Sequence, residues 1–85
     1  MSYSVEWSAE ARAQLAVTWL QQVASRQAIT SAQARIDKML AADPARFGAA
    51  LSEGLFAIEQ APLRALYEIS DAERRVEVVA VRWSL

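Results

Sequence analysis

The residues that could carry chemistry in this chain are arginines and carboxylates. Leu63-Arg64-Ala65-Leu66-Tyr67-Glu68-Ile69-Ser70 alternates, so Arg64 points away from the side taken by Leu63, Ala65 and Tyr67. A guanidinium held there presents a planar fork of donors suited to a phosphate or a carboxylate. The plainer reading is a surface ion pair of Arg64 with Glu68 or Glu77 on the same sheet, an interaction of small net worth. Glu59, Glu68 and Glu77 fall on three successive candidate strands. Two carboxylates brought together can divide the work of general acid and general base, but solvated charges facing arginines are the commoner outcome. Other chemistries lack their residues. The chain has no histidine and no cysteine. That removes the usual general base, the thiolate nucleophile and the nitrogen and sulfur ligands of zinc. Ser2, Ser4, Ser8, Ser25, Ser31, Ser52, Ser70 and Ser84 have no imidazole to activate them. Gly48 and Gly54 are the only glycines, so no glycine-rich phosphate loop forms, and no calcium-loop spacing is present. Neither a cofactor nor a metal site is expected.

Length and composition narrow the class. Eighty-five residues make a single domain, 1–85, in which every apolar face matters for stability. Hydrophobic residues are 54% of the chain, too many for a disordered one. Nine basic and ten acidic residues give a net charge of −1, without the basic excess of a dedicated nucleic-acid binder. Eight of the nine basic residues are arginine. The start, Met1-Ser2-Tyr3-Ser4-Val5-Glu6, lacks the basic and apolar regions of a signal peptide. No apolar run approaches the roughly 18 residues of a membrane span. A cytoplasmic protein is expected.

The elements that must position these residues follow from the hydrophobic periods. Tyr3, Val5 and Trp7 alternate with Ser4 and Glu6, which predicts a strand. Ser8 offers a helix N-cap, and Glu10 suits the positive end of the helix dipole. Residues 9–25 hold no Gly or Pro, and Leu15, Ala16, Trp19, Leu20 and Val23 fall on one helical stripe. After a break at residues 25–28, Thr30 and Gln33 fit a capping box. The second helix then runs to Ala42 on a stripe of Ala32, Ile36, Met39 and Leu40, and Asp43-Pro44 ends it. Residues 45–53 read as a loop with room for one helical turn. Leu55-Phe56-Ala57-Ile58-Glu59 is a candidate strand, closed by Ala61-Pro62. The alternating run from Leu63, a polar turn at residues 71–74 and Val76-Glu77-Val78-Val79-Ala80-Val81 complete three strands joined by short turns. The fold class is α+β, a two-layer domain of order β-α-α-β-β-β. A helix hairpin packs on one face of a small antiparallel sheet and leaves the other face open.

The last strand reads apolar on both sides, with Val76, Val78 and Ala80 on one and Val79, Val81 and Trp83 on the other. A strand half-exposed in a two-layer domain should be polar on its open side. Either it is the central strand of a small sheet, or loop residues fold over it, or a partner covers it. On the partner reading Val79, Val81, Arg82 and Trp83 make the partner-binding surface.

Tyr3-Ser4-Val5-Glu6-Trp7-Ser8, followed by Ala11 and Leu15, resembles the start of RelE/ParE-type bacterial toxins. Leu40 and Pro44 resemble the end of that family's second helix. Pro62-Leu63-Arg64-Ala65-Leu66-Tyr67-Glu68-Ile69 resembles its third strand, and Val76-Glu77-Val78-Val79-Ala80-Val81 its last. The resemblance spans nearly the whole chain and agrees with the element order. It implies the toxin of a type II toxin–antitoxin pair, with an antitoxin as partner and either DNA gyrase or ribosome-bound messenger RNA as target. In the RNA-cleaving branch, basic residues on the open sheet face bind the RNA. Arg64 matches one such arginine and Tyr67 follows it, so these two would be the catalytic residues. Leu55 and Ala57 stand where that branch has lysines, and Ser84 near the end stands where it has an arginine and then a tyrosine. With few cations aimed at a phosphate there is little electrostatic stabilisation to apply. The resemblance therefore points first to the ParE branch or a degenerate relative of it, acting by binding; an RNA-cleaving enzyme and a small interaction module without toxicity are the alternatives.

Overall fold

The computed structural model describes residues 2–84; Met1 and Leu85, which begin and end the sequence read above, lie outside the described residues. Strand β1 (Ser4–Trp7) leads into helix α1 (Ala9–Gln21), a 3₁₀ turn (Val23–Ser25), helix α2 (Arg26–Ala42) and a short helix α3 (Pro44–Phe47). Strands β2 (Ala49–Ser52), β3 (Leu55–Gln60), β4 (Leu63–Ser70) and β5 (Arg75–Trp83) follow. The five strands form one sheet in the order β1-β5-β4-β3-β2. The expected two-layer α+β arrangement is present, with β3, β4 and β5 as an antiparallel meander. Two features go beyond it. β1 pairs parallel to β5, so the sheet is mixed; the helices and the meander supply the long connection that a parallel pair requires. Residues 45–53, expected as a loop, hold α3 and the edge strand β2. Ala49-Ala50-Leu51-Ser52 shows neither alternation nor β-branching, and pairing with β3 alone makes it a strand.

Ser8 caps α1 as expected, its Oγ accepting from the Ala11 N–H at 3.0 Å. The helix stops at Gln21 rather than near residue 25. α2 starts at Arg26, so Thr30 and Gln33 lie inside it and form no capping box. Arg26 accounts for the tight link. Its Nε donates to the Trp19 carbonyl at 2.8 Å, and its guanidinium lies 3.9 Å from the centre of the Trp19 ring. It satisfies a carbonyl left free in the last turn of α1 and lets the next helix begin at once.

The core sits between α2 and the sheet. Ile29, Ala32, Ile36 and Leu40 are each at most 1% exposed and pack in one cluster with Leu63, Ala65, Tyr67, Val76 and Val78. Met39 is only half-buried. The predicted α1 stripe is not the buried one. Leu15 packs against the core, but Trp19, Leu20 and Val23 are 40%, 63% and 64% exposed, and α1 buries Ala11 and Thr18 instead. The reason lies along β5. Its pairing with β1 ends at Val78, so the next stretch of backbone has no strand on that side. α1 takes that place. Ser8 Oγ donates to the Val79 carbonyl at 3.4 Å, and the Val81 N–H donates to Gln14 Oε1 at 2.8 Å. Satisfying those buried backbone groups turns Gln14 toward the sheet. Leu20, well around the helix from Gln14, then faces solvent, and Val23 falls beyond the helix in the 3₁₀ turn.

β5 carries a bulge. Leu66 pairs with Ala80 but Tyr67 pairs with Val78, so Val79 is one residue too many on its strand. The extra residue reverses the alternation. Val76 and Val78 face the helices before it; Val81, only 3% exposed, and Trp83 join the same core after it. Ala80 and Arg82 go to the open side. The expected split of Val76, Val78 and Ala80 against Val79, Val81 and Trp83 is thereby corrected. The large apolar residues of β5 change phase to stay on the core side, and only the small Ala80 goes to the open one.

Candidate functional site

The open face of the sheet is built in rows set by the strand register. Glu59, Arg64 and Arg82 lie side by side on β3, β4 and β5. The next row is Ala57, Leu66 and Ala80, and the one after it Leu55, Glu68 and Glu77, continued by Glu6 on β1. An apolar floor therefore separates a row containing two arginines from an acidic row. Leu51 on β2, half exposed, closes the floor from the sheet edge. Leu51, Arg64, Leu66, Ala80, Val81 and Arg82 line a cavity of about 340 Å³.

The charges around it are unevenly matched. Arg64 pairs with Glu59 at 3.7 Å, and its side chain is 31% exposed. Glu59 also accepts from Ser84 Oγ at 2.8 Å, which draws it toward the end of β5. The partner is thus Glu59, not Glu68 or Glu77. Arg82 makes no ion pair among the described residues. Two like charges directly opposed across a strand pair repel, with Cβ atoms roughly 5 Å apart, and only Glu59 offsets them. Glu68 and Glu77 face each other across β4 and β5, both exposed, and Glu59 lies two rows away. Among the described residues, no group of three or more acidic side chains is placed to hold a metal ion.

The sequence-derived site residues separate in space. Arg64 and Arg82 share the open face. Tyr67 does not join them. It is fully buried on the helix side, where its hydroxyl donates to the Pro44 carbonyl at 2.5 Å and its ring stacks on Phe56 with centroids 5.6 Å apart. Three residues along a strand is an odd step, so Arg64 and Tyr67 necessarily face opposite ways. Burial pushes the Tyr67 hydroxyl up to about 12. Of the expected partner-binding set, Val79 is the half-buried bulge residue, Val81 is in the core and Trp83 packs against it from the helix side. Only Arg82 is on the open face. Leu51, Leu66 and Ala80 were not singled out by sequence. Leu66 left a trace, since it is an apolar residue in the outward phase of β4 between Arg64 and Glu68.

Tyr67 yields a pH prediction. Its folded value lies above the ordinary value near 10, so its contribution is complete below pH 10. It is lost as the pH rises toward 12, where the unfolded chain ionises first. A rise of that size corresponds to about 2–3 kcal/mol of stability lost across that window. Urea unfolding of wild type and Tyr67→Phe at pH 8, 10 and 11.5 is expected to show the variant losing less stability with rising pH. Equal losses would contradict the assignment.

An α+β domain of this topology, with a helix hairpin on one face and a charged open sheet on the other, is a recognisable class. No protein-family model matches the chain, and no curated protein matches it. Solved structures do. A chain of the toxin–antitoxin complex RelBE2 from Mycobacterium tuberculosis superposes with a TM-score of 0.82 over 98% of this chain and 92% of that one, at 22% identity. A chain of the chromosomal ParDE toxin–antitoxin system from P. aeruginosa gives 0.68 over 98% and 97%, at 16% identity. The chain has the RelE/ParE-like fold. Among its described residues, no helix is long and apolar enough to cross a membrane.

Proposed function

We propose that this chain is the toxin of a type II toxin–antitoxin module, that it acts by binding a protein target in the manner of ParE, and that an antitoxin neutralises it. The observation that carries the reading is the fold, shared over 98% of the chain with components of two toxin–antitoxin systems. Binding is favoured over catalysis by the make-up of the open face. Arg64 has no tyrosine beside it, because Tyr67 is in the core. Glu59, Glu68, Glu77 and Glu6 outnumber the two arginines and oppose a polyanion. DNA gyrase is the first target to test. The second reading, a ribosome-dependent messenger RNA endoribonuclease, draws on the exposed pairing of Arg64 with Arg82. A small interaction module without toxicity is the third.

Induced expression in a bacterial host separates them. Growth arrest with intact messenger RNA is expected, relieved by co-expressing the small reading frame next to the gene, and purified chain is expected to inhibit gyrase supercoiling. Cut messenger RNA, abolished by Arg64→Ala, would move the assignment to the second reading. Harmless overexpression would overturn the toxin assignment.

A further inference from the structure

The open face holds a feature that target binding in general does not explain, namely two opposed guanidiniums at the end of an apolar slot. We propose that this slot is a docking site for an extended peptide segment that carries an apolar side chain and, two residues on, a carboxylate. The proposal deepens the toxin–antitoxin reading, on which it rests only for the owner of the peptide, an antitoxin.

The charge pattern selects the ligand. Arg64 and Arg82 are cross-strand neighbours on one face, with a single acidic partner that Ser84 also engages. A carboxylate between them would relieve their repulsion and receive charge-assisted hydrogen bonds from two forks. The spacing selects the backbone. Leu66 and Ala80 lie two residues from Arg64 and Arg82 along their strands, a step of roughly 6.8 Å. Side chains at i and i+2 of an extended peptide have the same separation and point the same way. One segment can therefore set an apolar side chain on Leu51, Leu66 and Ala80 and an acidic one between the arginines. The cavity of about 340 Å³ lies at the small end of ligand pockets, room enough for one apolar side chain and a carboxylate head.

The same face is poorly suited to nucleic acid. The row beyond the apolar floor is Glu68, Glu77 and Glu6, and a strand of phosphates laid along the sheet would run onto it. Among the described residues its strands present no aromatic side chain on that side, and the one exposed ring nearby, Phe47, lies at the sheet edge in a groove shared with Leu51 and Arg64. Phe56 and Tyr67, the aromatic pair of β3 and β4, stack on each other on the helix side.

The probes are acetyl-Ser-Leu-Ser-Glu-Ser-amide, the same peptide with glutamine for glutamate, and a twelve-nucleotide oligouridylate. Each is titrated into the full chain and followed by the Nε–Hε resonances of arginine and the methyl resonances of leucine and alanine, which report binding up to millimolar concentrations. The glutamate peptide is expected to shift Arg64, Arg82, Leu51, Leu66 and Ala80. The glutamine peptide is expected to bind at least about tenfold more weakly, as the loss of a charge-assisted contact implies. R64Q and R82Q should each remove the preference for glutamate. R75Q, on an arginine paired with Glu73, should keep it. Equal binding of the two peptides, shifts elsewhere on the molecule, or no shifts at all would overturn the proposal. Tighter binding of the oligouridylate at these residues would overturn it in favour of nucleic acid. Growth arrest and its relief by the neighbouring frame are scored apart from this titration. Peptide binding without toxicity sinks only the toxin reading, and toxicity without peptide binding sinks only the site.

Discussion

Deleting Val79 is expected to leave a folded chain with the same residues facing the core. The residue is the extra member of β5, and the pairs on either side of it are Tyr67 with Val78 and Leu66 with Ala80. Without it those pairs become consecutive, and the strand alternates regularly. Val81 and Trp83 keep the core side, while Ala80 and Arg82 keep the open one. The loss is that of a half-buried valine side chain and of the Ser8 contact to the Val79 carbonyl, together about 1–3 kcal/mol. Val79→Ala keeps the bulge, trims the side chain alone, and should cost about 1 kcal/mol. Circular dichroism and urea unfolding of the two variants decide it. An unfolded deletion variant would mean that the bulge itself, and not the register on either side of it, is what β5 requires.

Gly48→Ala is expected to be the most damaging single substitution outside the α2 core stripe. Gly48 follows α3 and leads into β2, and the Tyr67 hydroxyl passes against it on the way to the Pro44 carbonyl. A Cβ built on Gly48 would overlap that hydroxyl, and it would lie 2.8 Å from both the Tyr67 Cζ and the Ala57 carbonyl oxygen. The glycine is required by this approach rather than by its backbone angles, since φ is −114°. Tyr67 would have to move, breaking its hydrogen bond and its stack on Phe56. Overpacking of this kind costs about 1–3 kcal/mol, and an orphaned buried hydroxyl and carbonyl add about 1–3 more. The midpoint of urea unfolding should fall accordingly. Gly48→Ala combined with Tyr67→Phe should be less destabilised than the two single losses added together, because the second change removes the atom that clashes most. Strict additivity would show that Gly48 and Tyr67 are not coupled in this way.

Local chemistry made several parts of the chain legible in its sequence. Ser8 declares the start of α1, Pro44 the end of α2, and Ile36 and Leu40 the buried face of that helix. Period-2 alternation from Leu63 to Tyr67 sorts β4 into a core side and an open side, and with it the outward position of Arg64. Each of these is decided within a few residues, by a cap, a ring constraint or a repeat. The side chains in question need no distant partner to choose their direction.

Tertiary structure decided the rest, because the deciding group lay far along the chain. Which face of α1 is buried depends on Gln14 meeting the Val81 N–H, 67 residues away. Leu15, Ala16, Trp19, Leu20 and Val23 have the composition of a core stripe, but nothing in that stretch of sequence says that a backbone amide elsewhere must be satisfied first. β2 is a strand only because β3 lies beside it. The candidate site is the clearest case. Arg64 and Arg82 are 18 positions apart, and the hairpin register together with the Val79 bulge sets them opposite one another above Leu66 and Ala80. A bulge is one residue of slip in a ladder, and only the partner strand shows that the ladder has slipped.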